Sequence, residues 1–240
     1  MASTYSTNAQ LEIITTGEKA GQWGGINNTN LQILEQTSTG VLDVDISAGS
    51  STLVLTAGAQ STGKNVYFRL YGTLAANRTI TMPVTAERVW IMKDDTVRGT
   101  SNYTVGVLTA SGTTQPIPPG ATVLCKSNGS ETVVSIIEKG YATITDANSP
   151  YTAVAGAQIL ANTTSTVITV TLPSAASTGD EVTIIDARGT WGSNNLTVDR
   201  NGLNINTGTS NLTLSNNGQS ITLVYVDATR GWAYKTNYTS

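Results

Sequence analysis

Beyond about residue 40, apolar and polar positions alternate along most of the chain, the mark of strands with one face buried. "VLDVDI" sets Leu42, Val44 and Ile46 on one face against Asp43 and Asp45 on the other. "VYFRLY" sets Val66, Phe68 and Leu70 against Tyr67, Arg69 and Tyr71. The pattern returns at Ile168, Val170 and Leu172, and again at Ile221, Leu223 and Tyr225. Short strands separated by Gly, Asn, Ser and Asp turns predict a mostly β protein of antiparallel sandwich or barrel-like modules.

The pattern also repeats. "RTITMP", ending at Met82-Pro83, answers "VITVTLP", ending at Leu172-Pro173. Each is followed by an apolar strand leading into an aspartate, "VWIMKDD" from Val89 and "VTIIDA" from Val182. "SNYTV" (101–105) then parallels "SNNLTV" (193–198), and "PPGATVL" (118–124) parallels "NNGQSITL" (216–223). The same order at an offset of roughly 90 residues predicts two tandem copies of one β-module, over 41–140 and 141–240.

Residues 1–40 break the alternation. "GQWGGINNTNLQILEQ" (21–36) predicts one short helix of about eight to ten residues, entered through a glycine loop. Thr29 and Gln32 have capping-box spacing, and Leu31 and Leu34 share a face with Ile26 beneath them. So short a helix does not persist alone in water, so it must dock on its own module, a sister subunit or another protein. Gly21, Gly24 and Gly25 around Trp23 present the indole as an interface anchor; the alternative is that Trp23 caps the first module's core.

Composition narrows the function. Charged residues make up 12 % and the net charge is −3, which gives no pull toward nucleic acid or anionic membrane. About one residue in six is Thr, in keeping with β-branched strands. The single cysteine, Cys125, reads as a core hydrophobe. The N-terminal stretch lacks a basic and an apolar signal region, and no run is long and apolar enough to span a bilayer, which predicts a soluble product made in a cytoplasm.

The chain has no His, which removes the commonest general base and metal ligand and every Ser-His-Asp or Cys-His system. Carboxylate pairs remain at Asp43/Asp45, Asp94/Asp95 and Asp180/Glu181, but neighbours on one strand or turn do not flank a cleft as glycosidase acids do. The expectation is a non-enzymatic protein with no catalytic residue, metal or cofactor. Trp191 in "GTWGSNN", with Trp232 and Tyr234, forms a candidate glycan or subunit contact.

The stretch "LEIITTGEKAGQWGGINNTNLQILEQ" resembles the N-terminal segment of fibre-like virion proteins of tailed bacteriophages, especially marine and cyanobacterial ones. Thr16, Gly17, Glu18, Gly21, Trp23, Gly24, Asn28, Asn30 and Leu34 fill that pattern. "TVTLPSAASTGDEVTIIDARGTWGSNNLTVDRNG" is similar to repeated β-modules of phage tail fibres and spikes. The resemblance implies a homotrimeric tail fibre or fibre adaptor, assembled in the bacterial host cytoplasm. The first forty residues attach it to other virion proteins, and the β-modules project outward. Gly21, Trp23, Gly24, Asn28, Asn30, Leu31 and Leu34 are then the docking residues. The alternatives are a module binding host-surface polysaccharide and a capsid decoration or head fibre.

Overall fold

The computed structural model describes residues 3–83, 87–110, 112–128 and 131–239. The chain opens with a hairpin of β1 (Thr4–Tyr5) and β2 (Glu12–Ile13), then the helix α1 (Trp23–Thr39). There follow β3 (Val41–Asp45), β4 (Ser51–Thr52), β5 (Tyr67–Thr73), β6 (Arg78–Met82), β7 (Glu87–Val97), β8 (Val105–Thr109), β9 (Gln115–Ile117), β10 (Thr122–Asn128) and β11 (Thr132–Glu138). Next come β12 (Tyr141–Ile144), β13 (Tyr151–Thr152), β14 (Gln158–Ala161), β15 (Ile168–Thr171), β16 (Glu181–Asp186), β17 (Leu196–Asp199), β18 (Leu212–Leu214), β19 (Ser220–Asp227) and β20 (Gly231–Tyr238). The protein is mostly β, with α1 the one α-helix among the described residues.

Two compact units divide the chain. One comprises Met1–Val97, Val105–Ile117 and Thr122–Ile137; the other comprises Arg98–Thr104, Pro118–Ala121 and Glu138–Ser240. The first unit carries sheets in the orders β11-β10-β7-β5-β3 and β4-β6-β8-β9. In the second unit the orders are β20-β19-β16-β14-β12 and β13-β15-β17-β18, the same arrangement strand for strand.

Strand direction corrects the expected antiparallel sandwich. β3, β5 and β7 pair in parallel, as do β4, β6 and β8, so the chain steps from one sheet to the other and back with each turn. Only then do β9 and β10 add antiparallel strands. β12, β14 and β16 repeat this, closed by the antiparallel β19 and β20. Each unit is a short β-solenoid ending in a hairpin. The physical reason is that alternation reports one buried face and says nothing of direction. Parallel neighbours need a long crossover, and here the intervening strand of the other sheet supplies it.

Inward faces hold the apolar residues. Phe68, Leu70, Trp90, Met92, Val123 and Cys125 are buried in the first unit, while Arg69, Asp43 and Asp95 face out. In the second, Ile159 and Ile184 from one sheet join Val170 and Val198 from the other in a single core. Gly231 closes the last hairpin with φ 71°, and a Cβ there would run into the Asn204 carbonyl oxygen.

The helix is longer than expected and starts earlier. It takes in 17 residues from Trp23, so Gly24 and Gly25 are helical rather than loop. Thr29 does not cap it: its hydroxyl donates to the Gly25 carbonyl at 3.0 Å from inside the helix. Gln22 precedes the first turn without a side-chain cap bond. The two glycines weaken that turn by about 1 kcal/mol each relative to alanine, so tertiary contact must hold it. At the other end the Gly40 N–H donates to the Gln36 carbonyl at 2.9 Å, and hydroxyls of Thr37, Ser38 and Thr39 bond carbonyls of the last turns.

Candidate functional site

α1 has two working faces. One lies against its own chain, where Ile33 is fully buried and Ile26, Asn30 and Gln36 are half-buried. Two amides fix this face. Asn30 Nδ2 donates to the Glu12 carbonyl at 2.9 Å while its Oδ1 accepts from the Glu12 N–H at 3.0 Å. Gln36 Nε2 donates to the Ser61 carbonyl at 3.1 Å while its Oε1 accepts from the Ser61 N–H at 3.3 Å. Each side chain thus imitates the paired bonds of a neighbouring strand.

Electrostatics reinforce the attachment. Lys19 Nζ lies 3.0 Å from a Glu12 carboxylate oxygen. Hydrogen bonds from Ser3 and then Lys19 hold the Glu12 carboxyl below its usual range. An open groove of about 360 Å³ runs beside this face, lined by Glu12, Gly25, Ile26, Thr29 and Asn30.

The other face carries Trp23, Leu31 and Leu34, exposed by 64 %, 56 % and 45 %. At 100° per residue these three fall within an arc of about 80°, next to the buried arc and distinct from it. Leu31 and Leu34 therefore do not share a packed face with Ile26, as the spacing had implied; Ile33 takes the inward place. The reading of Trp23 as a core cap is corrected as well, since its indole stands in solvent. Asn28 is exposed, and nothing within 4 Å surrounds a Cβ built on Gly24 or Gly25. Gly21 turns the chain into the helix at φ 77°.

The aromatic trio near the C-terminus does not form a surface site. Trp191 and Trp232 are each 0 % exposed, so neither indole can stack on a sugar; the expected contact through them is corrected to a core role. Trp232 meets Tyr225 edge to face at 5.6 Å, and the backbone N–H of Trp191 donates to the Asp186 carboxylate at 3.2 Å. Tyr234 alone of the three reaches the surface. A Trp beside Asn and Gly turns looks alike in sequence whether it points in or out.

The carboxylates serve the fold. Asp43 and Asp95 flank Arg69 at 3.4 and 2.8 Å, Asp94 is buried and accepts from Thr96, and Asp180 accepts from the Ser177 N–H. Glu181 pairs with Lys235. Burial raises Asp186, but backbone N–H bonds from Gly218, Trp191, Thr190 and Arg188 outweigh it and hold the carboxyl below its usual range. Cys125 is buried, its thiol pushed up to about 12 by desolvation. Among the described residues, no group of three or more Cys, Asp or Glu is placed to hold a metal ion.

No protein-family model matches the chain, and no curated protein matches it. A solved structure described as "Structure of a chaperone-substrate complex" is similar over 82 % of this chain and 35 % of its own, at 13 % identity and a TM-score of 0.38. This chain thus spans about a third of that one, and a likeness this distant carries no functional argument.

Proposed function

We propose that the protein is a non-enzymatic structural component of a phage virion, a short tail fibre or fibre adaptor that docks through α1. The observation carrying this reading is the two-faced helix. One face is bound to its own unit by Asn30, Ile33 and Gln36, while Trp23, Leu31 and Leu34 stand unpartnered beside it. Burying such side chains stabilises a contact by about 1.5–3 kcal/mol each, and a soluble chain has little other reason to group them on one face. The resemblance of residues 11–36 to virion-attachment segments supplies the partner: another virion protein, met by a homotrimer whose β-solenoid units project outward.

The test is competitive incorporation. Phage is grown with wild-type and Trp23→Ala chains expressed together, and purified particles are analysed by mass spectrometry. The variant is expected to be depleted roughly tenfold or more, as for an interface anchor. Equal incorporation of the folded variant contradicts the docking role.

A further inference from the structure

β11 and β20 hold the same place in the two units. Each is the outermost strand of a five-stranded sheet, and no strand borders its other side among the described residues. Such a strand offers open N–H and C=O groups to any other chain, so proteins blunt these edges with bulges, lysines or covering loops. β20 is blunted. Its pairing with β19 is irregular between Thr222 and Leu223, and Lys235 stands exposed within it. The loop at 204–206 covers its start, Trp232 donating to the Asn204 carbonyl and accepting from the Asn206 N–H, each at 2.8 Å.

β11 is not protected in these ways. Its seven residues, TVVSIIE, are mostly β-branched and include no Lys or Pro. Among the described residues, no loop backbone bonds to 132–137. Val133 and Ile137 are 59 % and 57 % exposed on its outer face, and Val134 and Ile136 are only half-buried on the inner one.

The turn before β11 fixes which backbone groups are open. The Glu131 carbonyl accepts from the Asn128 N–H at 3.3 Å, so the Glu131 backbone faces β10. An antiparallel ladder alternates, so Val133, Ser135 and Ile137 also bond toward β10, while Thr132, Val134 and Ile136 turn theirs to the open side. An added antiparallel strand must set its own open residues opposite these. A second β11 does so in a register centred on Ser135: Val134 meets Ile136, Val133 meets Ile137, and Ser135 meets Ser135.

Charge selects that register. It sets exposed Glu131 against exposed Lys139 of the second copy, and two-fold symmetry makes the contact twice. Centring on Val134 would set Glu131 against Ile137, and centring on Ile136 would set Lys139 against Val133. Lys139 is loosely held in its own chain, 3.8 Å from a Glu181 carboxylate that also binds Lys235.

We infer that β11 pairs antiparallel with β11 of a second copy, joining two five-stranded sheets into one. The contact uses no residue of α1 and goes beyond its docking. A two-fold contact cannot close a ring of three, so in a homotrimer it links chains of separate assemblies.

Disulfide trapping in the full chain tests the register. Opposed residues of a non-hydrogen-bonded pair have Cα atoms about 4.5 Å apart, within disulfide reach. Ser135→Cys is expected to cross-link into a dimer on mild oxidation. Val133→Cys, about 14 Å along the strand from its own counterpart, is expected not to. The native Cys125 is buried and does not compete. Sedimentation velocity gives a second readout: Glu131→Lys opposes like charges and is expected to weaken pairing about fivefold, and adding Lys139→Glu to restore it. This charge exchange decides the matter should Ser135→Cys fail to fold. Absence of the cross-link in folded Ser135→Cys, equal cross-linking of Val133→Cys, or no recovery in the double variant overturns the pairing.

Discussion

Asn30 holds Glu12 as a strand holds its neighbour, its amide bonding both the N–H and the carbonyl of that residue at 3.0 and 2.9 Å. Gln36 does the same to Ser61. The helix is therefore attached to its own chain by polar pairs more than by apolar burial, Ile33 being its one fully buried residue. This leaves its larger apolar side chains free for another surface.

Removing one of these amides is expected to loosen the helix and spare the sheets. Asn30→Ala leaves both Glu12 backbone groups without their partner, at a cost of about 1 to 2 kcal/mol. Hydrogen exchange is the measurement: α1 amides should lose protection while β5, β7 and β16 keep theirs. Unchanged α1 protection would mean that packing of Ile33 is sufficient.

Gly231→Ala is expected to destabilise the second unit by at least about 2 kcal/mol, through the clash with Asn204 and the positive φ. Urea denaturation should show its transition moving earlier. A substitution at Gly24, where nothing surrounds the new methyl, should strengthen the helix by about 1 kcal/mol instead.

Lys64 makes alkaline stability testable. Burial, and then the like charge of Arg88, push its pKa down from 10.5 to about 8. Between those values the unfolded chain holds a proton that the folded chain has released, so stability rises with pH across that window. Urea midpoints should increase from about pH 8 to about pH 10 in wild type. Lys64→Met should flatten that rise, and an equal rise in the variant would assign it to another group.

Asp186 works in the opposite sense. Its folded pKa is held down by backbone donors that exceed the effect of burial, so the stability it lends is complete above the ordinary aspartate range and is lost as pH falls through the folded value. Asp186→Asn should destabilise the second unit at neutral pH and reduce its sensitivity to acid. Thermal melts at neutral and acid pH check both.

Much of the β architecture shows in the sequence because inward residues such as Phe68, Leu70, Ile168 and Val170 obey the pleat. "RTITM" and "ITVT" fall on β6 and β15, which hold the same place in their sheet orders. Strand direction was not legible, because alternation is identical in parallel and antiparallel sheets. The helix start at Trp23 is hidden in the sequence because Gly24 and Gly25 argue against helix locally, while the bonds of Asn30 and Gln36 to distant backbone anchor the helix. Trp191 and Trp232 show the same limit, since only tertiary packing fixes which way a loop indole points. Lys64 and Arg88 carry no local signal at all; their meeting depends on sheet register.

The docking account is tested most directly by a cryo-electron-microscopy map of the assembled particle, at a resolution that shows side chains. Trp23, Leu31 and Leu34 should be covered by a neighbouring virion protein, with the β-solenoid units pointing away from it. A map in which the chain is part of the particle but these three side chains still face solvent would contradict the account.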